Sequence, residues 1–171
     1  MNERKSSAHI PDCRGFKMAQ TVTIEAAQSA DIHQLLKLYK TLHPKENELT
    51  HEEAIKILER FKLYPGSVVL VARLGTNLVS TASMVIIPNL TRNGAPYALI
   101  ENVVTDAEYR GRGIAGALLK HAIALAWEHD CYKVMLMTGT KRASILRFYS
   151  NLGFEQSKTG YQIRRIESRK E

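Results

Sequence analysis

The sequence predicts a mixed α/β fold, with a central, mostly antiparallel sheet, one parallel strand pair and helices on both faces. Three observations carry this. A short strand is followed by two amphipathic helical stretches. Strand-like runs at residues 68–73, 78–87 and 97–105 are joined by a turn and a loop, the pattern of an antiparallel meander. A helical stretch of crossover length then separates the strand at 97–105 from another at 132–138. Such a crossover suits a parallel pair.

The elements follow in order. Residues 22–26 alternate as a short strand. Residues 31–42 place Ile32, Leu35, Leu36, Leu38 and Tyr39 at helical spacing, with Ser29 and Asp31 at the start and Pro44 as the stop. Thr50 with Glu53 three residues on forms a capping box, which opens a second helix with Ala54, Ile55, Leu58 and Phe61 on one face. Pro65 and Gly66 end it. Gly75-Thr76-Asn77 turns the chain between strands, and residues 88–96 form a loop before the strand at 97–105. A long helix is expected over 113–129, a short one over 143–151, and closing strands at 153–154 and 161–165.

Bulk properties bound the possibilities. A chain of 171 residues, 44% hydrophobic and 24% charged, fits one globular domain. Residues 21–171 read as that domain. Residues 1–20 mix Pro, Gly, Ser and charge without a period and read as an N-terminal extension, non-native in part or flexible, with Met18 as an alternative start. No apolar run approaches the roughly 20 residues of a membrane-spanning helix, so no membrane partner is expected. Cys13 and Cys131 make no disulfide framework, and no apolar segment of a signal peptide follows the charged start, which points to the cytoplasm. The six histidines show no metal-ligand spacing with the cysteines, and no metal is expected. The net charge of +7 favours anionic partners, yet much of it lies at the two ends.

The most informative stretch runs ENVVTDAEYRGRGIAGALLKHAIALAW. A strand meets Arg110, Gly111, Arg112 and Gly113, and a helix opens. The first turn of a helix has four N–H groups without internal partners and a partial positive charge. Glycines there remove side chains that block a phosphate from the backbone, and the two arginines add charge, so the site suits a pyrophosphate. The bland alternative is a glycine-bearing connection. Gly111, Gly113 and Gly116 also spell G-x-G-x-x-G, the dinucleotide fingerprint. Two features oppose it. The motif follows an antiparallel meander, and Thr138-Gly139-Thr140 stands where an acid is expected at the next strand tip.

These residues resemble the GNAT acetyltransferase superfamily. Arg110-Gly111-Arg112-Gly113-Ile114-Ala115 is similar to its Q/R-x-x-G-x-G/A acetyl-CoA motif. Glu101 to Thr105 stand where its fourth strand stands, and Cys131 to Met137 resemble its fifth. Phe148-Tyr149 with Leu152-Gly153-Phe154 resembles its FY…LGF element, and the likeness spans about residues 21–165. It implies the acyl-CoA N-acyltransferase fold, acetyl-CoA as cosubstrate and a homodimer. It implies that N–H groups of Arg112, Gly113, Ile114 and Ala115 hold the pyrophosphate, beside Arg110 and Gly111. It implies that Val103, Val104 and Thr105 lie along the pantetheine arm where the fourth and fifth strands splay, with a main-chain N–H near Val104 polarising the thioester carbonyl. Tyr149 would protonate the departing thiolate. The family often carries Asn about seven residues before that tyrosine as a CoA contact, and here the position is Arg142.

The implied activity is acetyl transfer from acetyl-CoA to a primary amine of a small molecule, by direct attack in a ternary complex. A tyrosine of pKa about 10 can protonate a thiolate whose conjugate acid lies near ~8.5. By helical spacing alone Tyr149 reads rather as a packed aromatic beside Phe148, and the resemblance reverses that reading. Glu101, among Leu99, Ile100, Val103 and Val104, is the candidate base, because apolar surroundings raise a carboxyl pKa. It reads equally as a strand residue facing solvent or paired with an arginine, and a chain of water can replace a dedicated base. Asn89, Arg92 and Tyr97 are candidate acceptor contacts from the loop before the fourth strand, with Glu46 and Glu48 on a second candidate wall. Two alternatives stand beside the enzyme. One is a CoA-binding sensor without turnover, the other a basic nucleic-acid-binding module. Against the latter, aromatic content is 7% and no basic stripe interleaves with stacking rings, so nucleic acid is not expected as a partner.

Overall fold

The computed structural model describes residues 6–8, 21–45 and 49–165, with backbone alone at 6–8. Two compact units divide the chain, Met1–Leu136 and Met137–Glu171. Cys13, Met18, Glu46 and Glu48 lie outside the described residues.

Among the described residues, the first unit holds six strands and three α-helices. The strands are β1 (Ser6–Ala8), β2 (Val22–Ala26), β3 (Val68–Leu74), β4 (Asn77–Ile87), β5 (Tyr97–Thr105) and β6 (Val134–Leu136). The helices are α1 (Ile32–Leu42), α2 (His51–Lys62) and α3 (Ile114–Glu128). The strands lie side by side in chain order. Every neighbouring pair is antiparallel except β5 and β6, which are parallel. Helix α3 provides the crossover between them, as the sequence pattern requires.

Local chemistry explains the elements. In β2, Val22 and Ile24 are buried while Thr23 and Glu25 are only half so, the alternation of a strand covered on one face. In α1, Ile32, Leu35 and Leu38 form the buried stripe. The Thr50 hydroxyl accepts from the Glu53 N–H at 3.2 Å, and the Glu53 carboxylate accepts from the Thr50 N–H at 2.9 Å, which fixes the start of α2. Leu74 pairs with Asn77 across a two-residue turn, where Gly75 at φ +59° supplies the left-handed backbone.

The sheet is covered on both sides. Val71, Leu78 and Val104 point toward α1 and α2 and join Leu35, Leu38, Ala54 and Leu58 in one buried cluster. By the period of two, Leu70, Ala72, Met84 and Ile100 point to the other face, and α3 packs there with buried Leu118, Leu119 and Ala122. One ion cluster ties the α1 end to the sheet. Asp31 pairs with Arg73, whose Nε also donates to Glu25 at 2.8 Å, and the Asp31 carboxylate accepts from the Gln28 N–H at 2.8 Å.

Three sequence expectations change. Residues 6–8, read as part of an extension, pair antiparallel with β2 and form an edge strand. The strand expected over 132–138 contracts to Val134–Leu136, because only Ala98 to Ile100 of β5 stands opposite it. The closing strands at 153–154 and 161–165 do not form. Gly153 sits in a turn at φ +90°, and the later segment leaves Tyr161 at 92% and Ile163 at 99% exposed. A strand is stable only with a partner and a face to bury, and this segment has neither among the described residues.

Replacing Asp31 by Ala strips Arg73 of its most buried partner. The expected cost is about 3 kcal/mol, the low end for breaking a buried ion pair, because Glu25 still faces the guanidinium. A urea titration reads it as a lower midpoint at unchanged slope.

Candidate functional site

The site is built outward from the end of β5. The Asp106 N–H donates to the Val79 carbonyl at 2.9 Å, which extends the pairing with β4 past Thr105. The Asp106 carboxylate then accepts from the Glu108 N–H at 2.9 Å and starts a single 3-10 turn, Ala107–Tyr109. Arg110 donates from Nε to the Thr105 carbonyl at 3.0 Å, and Arg112 donates to the Glu108 carbonyl at 3.0 Å. The Arg112 guanidinium also lies 5.1 Å from the centre of the Tyr109 ring. Both arginines thus brace the loop while their charge stays beside the helix start.

The loop ends in two left-handed glycines, Gly111 at φ +74° and Gly113 at φ +76°. An L side chain there costs about 1–2 kcal/mol, so the turn selects glycine for its backbone. A Cβ at either position meets nothing within 4 Å, so the space before the turn is open. Gly113 is the N-cap of α3, and no side chain caps this terminus. The first-turn N–H groups therefore remain available to an acceptor from outside. Ile114 is buried and Leu118 and Leu119 are fully so, which anchors the helix in the core and fixes where those groups point. This is a good fit for a pyrophosphate: unpaired amides, a positive helix end, open space and two arginines.

Strand β5 carries a second irregularity. Thr81 pairs with Val104 but Ser83 pairs with Glu101, so β5 holds one more residue than β4 between those points. This is a β-bulge, and Asn102 within it has φ +54°. The parallel pairing with β6 stops at Ile100. From Glu101 to Thr105 the other edge of β5 has no strand beside it among the described residues. Val103 is half-buried. Val104 places its side chain in the core, and its carbonyl accepts from the Ser80 hydroxyl at 2.9 Å. The Thr105 and Ser80 hydroxyls lie 2.7 Å apart.

Glu101 is half-buried and makes no hydrogen bond or ion pair among the described residues. Burial pushes its carboxyl above the ordinary glutamate value of 4.5. Ser83, its cross-strand partner, lines a cavity of about 400 Å³ between α1, α2 and the sheet, together with Asn102. The volume is that of a small-molecule site, roughly 300–1,000 Å³.

The other candidate acceptor contacts lie elsewhere. Tyr97 opens β5 and packs edge-on to Tyr132 at 6.3 Å, under the Lys133 ammonium at 4.9 Å. Arg92 lies 5.8 Å over the Tyr132 ring, and the Asn89 amide closes its own loop by donating to the Thr91 and Ala95 carbonyls. Tyr97 is five residues before the bulge, or roughly 16 Å at strand rise. None of the three lines the cavity. The sequence passed over Ser83 and Asn102. Their only signal is polarity within the apolar runs TASMVII and LIENVV.

The second unit contains α4 (Ala143–Ser150). Arg142 is its N-cap, with its N–H 3.3 Å from the Thr140 hydroxyl, and its side chain is exposed. Tyr149 is half-buried, packs against Phe148 at 5.2 Å and stands edge-on to Phe154 at 6.1 Å. The Phe154 N–H donates to the Tyr149 carbonyl at 3.2 Å and closes the turn after the helix.

Known proteins share this fold. A solved structure from Agrobacterium tumefaciens str. C58, which carries a provisional acetyltransferase name, is 44% identical, with a TM-score of 0.79 over 83% of this chain and 99% of that one. A solved structure named a transcriptional regulator, from Bacillus halodurans C-125, is 29% identical, with a TM-score of 0.77 over 84% of this chain and 99% of that one. Among curated proteins, a glucosamine 6-phosphate N-acetyltransferase of Trypanosoma brucei brucei is 40% identical over 77 residues, 45% of this chain and 50% of that protein. The chain spans half or less of the length of the curated relatives it matches. Residues 31–154 match the model of the Acetyltransferase (GNAT) family, a span that includes the glycine turn, the bulged strand and the FY…LGF element; the chain belongs to that family.

Proposed function

We propose that this chain is an acetyl-CoA-dependent N-acetyltransferase that acetylates a primary amine of a small molecule, by direct attack within a ternary complex. The observation that carries it is the α3 N-terminus, with a left-handed glycine as N-cap, no side-chain cap and open space in front. The open edge of β5 beyond Ile100 supports the same reading, since it leaves a slot of backbone groups leading from the glycine turn to Glu101. The family match crosses the division at residue 136 and supports residues 21–171 acting as one catalytic domain. The reading includes a homodimer, on the family resemblance, and a cytoplasmic setting, on cysteine usage.

Acetyl-CoA supplies an activated acetyl thioester. The amides of Arg112 to Ala115 hold its pyrophosphate, with Arg110, Gly111 and Arg142 as further contacts. Val103, Val104 and Thr105 line the arm, and a main-chain N–H near Val104 stabilises charge on the carbonyl oxygen. Glu101 takes the amine's proton, directly or through water, while the C–N bond forms. Tyr149 gives a proton to sulfur as the C–S bond breaks. The relative's acceptor, glucosamine 6-phosphate, is one candidate amine.

Three outcomes are expected. Substituting Gly113 by Val forces a side chain into a left-handed backbone and blocks the amides, so coenzyme A affinity by calorimetry falls at least about ten-fold. No affinity for coenzyme A in the unaltered chain removes the whole reading. Tyr149→Phe lowers thiol release from acetyl-CoA about 100-fold while coenzyme A still binds, the size of a lost general acid. A chain that binds coenzyme A but releases no thiol with any amine is the sensor instead.

Glu101→Gln lowers kcat/KM by about 100-fold and removes the acid limb of its pH profile, which otherwise lies above the ordinary glutamate range. Its effect on stability has the opposite sign. Burial raises the folded-state pKa, so the carboxylate penalises folding only as pH rises through and beyond its unfolded value of 4.5. Glu101→Gln therefore raises the melting temperature at neutral pH and not at about pH 3, where both states are already protonated.

A further inference from the structure

The cavity under α1 and α2 has a chemistry that narrows the acceptor. Its walls are mostly apolar, from Leu36, Tyr39, Ile57, Phe61 and Val69, and Lys40 and His43 also line it. Ser83 supplies a hydroxyl from the sheet side. That side chain is 6% exposed and has no hydrogen bond among the described residues. The nearby polar side chains on the same strand are all engaged: Ser80 bonds Val104 and Thr105, and Thr81 bonds the Leu70 carbonyl at 2.7 Å. On this strand Ser83 is the hydroxyl that lines the cavity, directly across the ladder from Glu101. Asn102, held in the bulge at φ +54°, lines the same space.

We infer that this cavity binds the acceptor, and that the acceptor is a primary amine with an aliphatic or aromatic body, its amino end held by the Ser83 hydroxyl beside Glu101. The inference rests on the acetyltransferase reading and deepens it. Sugar hydroxyls placed against Leu36, Ile57 and Phe61 lose water and find few partners. A hydrocarbon body loses nothing there and leaves the polar groups of Ser83 and Asn102 to the nitrogen. Ser83 is then a binding residue on substrate, and the apolar walls set specificity.

The test uses the full chain with coenzyme A present. Calorimetry follows binding of 2-phenylethylamine, hexylamine and glucosamine 6-phosphate to the unaltered protein, Ile57→Asp and Leu49→Asp. Both altered positions line the cavity and are about half exposed, at 53% and 45%, so folding is preserved, with melting curves as the check. A third variant, Ser83→Ala, tests the anchor. The expected result is that the apolar amines bind at least about ten-fold tighter than the amino sugar, the scale set by a few methylenes in an apolar pocket. Ile57→Asp and Leu49→Asp each narrow that preference at unchanged coenzyme A affinity, and Ser83→Ala weakens every amine. The inference is overturned if glucosamine 6-phosphate binds as tightly as the apolar amines, if no amine binds, or if the aspartate variants leave amine binding unchanged. Thiol release separates the two proposals. Apolar amines that bind and respond to the variants without acetyl transfer leave the cavity assignment standing and sink the enzyme. Turnover of the amino sugar, blind to the cavity variants, does the reverse.

Discussion

A helix that begins with a left-handed glycine leaves its first N–H groups without protein partners, and the rest of this structure makes that arrangement tolerable. Gly113 contributes no side chain, and no neighbouring side chain caps the terminus. The unsatisfied amides persist because Ile114, Leu118 and Leu119 are locked in the core below the sheet, so the helix cannot fray to relieve them. The loop ahead of them is equally constrained. Asp106 extends the β4–β5 ladder, and Arg110 and Arg112 reach back to the Thr105 and Glu108 carbonyls. The outcome is a preorganised cluster of donors, positive in sign, that faces open space.

Strand β5 connects this cluster to everything else. Its first half is an ordinary central strand, paired on both edges. Its second half is irregular twice over, because β6 stops at Leu136 and a bulge breaks the ladder with β4. A bulge re-aims the side chains that follow it. Without the extra residue, strict alternation would put Val104 on the α3 face; with it, Val104 joins the cluster under α1 and α2. The same shift sets Glu101 opposite Ser83 and leaves Asn102 in the wall of the cavity. One inserted residue thus gathers a half-buried carboxyl, a buried hydroxyl and a strained asparagine on neighbouring positions of β4 and β5.

The cavity and the glycine turn ask for different chemistry. The turn offers backbone amides and cations, which suit a phosphate. The cavity offers mostly hydrocarbon with a few polar points. On the proposed reading an anionic coenzyme goes to the turn and an apolar body to the cavity, and the two substrates meet at the bulge. The buried Asp31–Arg73–Glu25 cluster serves this division from a distance, since it fixes the end of α1, one wall of the cavity, against β3.

Much of this was legible in the residues alone. Periodicity located α1, α2, α3 and β5, because each has a buried stripe or alternation that only one geometry satisfies. The capping box at Thr50 and the glycine turn were readable because both act through local backbone chemistry. The partners of a strand are not local. Residues 6–8 carry no pattern that marks a strand, yet β2 offers an edge and they pair with it. Tyr161 and Ile163 carry the pattern of a strand and have no strand partner among the described residues. The bulge at Asn102, the open edge of β5 and the cavity floored by Ser83 depend on register between segments far apart in sequence. Only the folded sheet sets that register, because each slip of one residue moves every side chain to the opposite face.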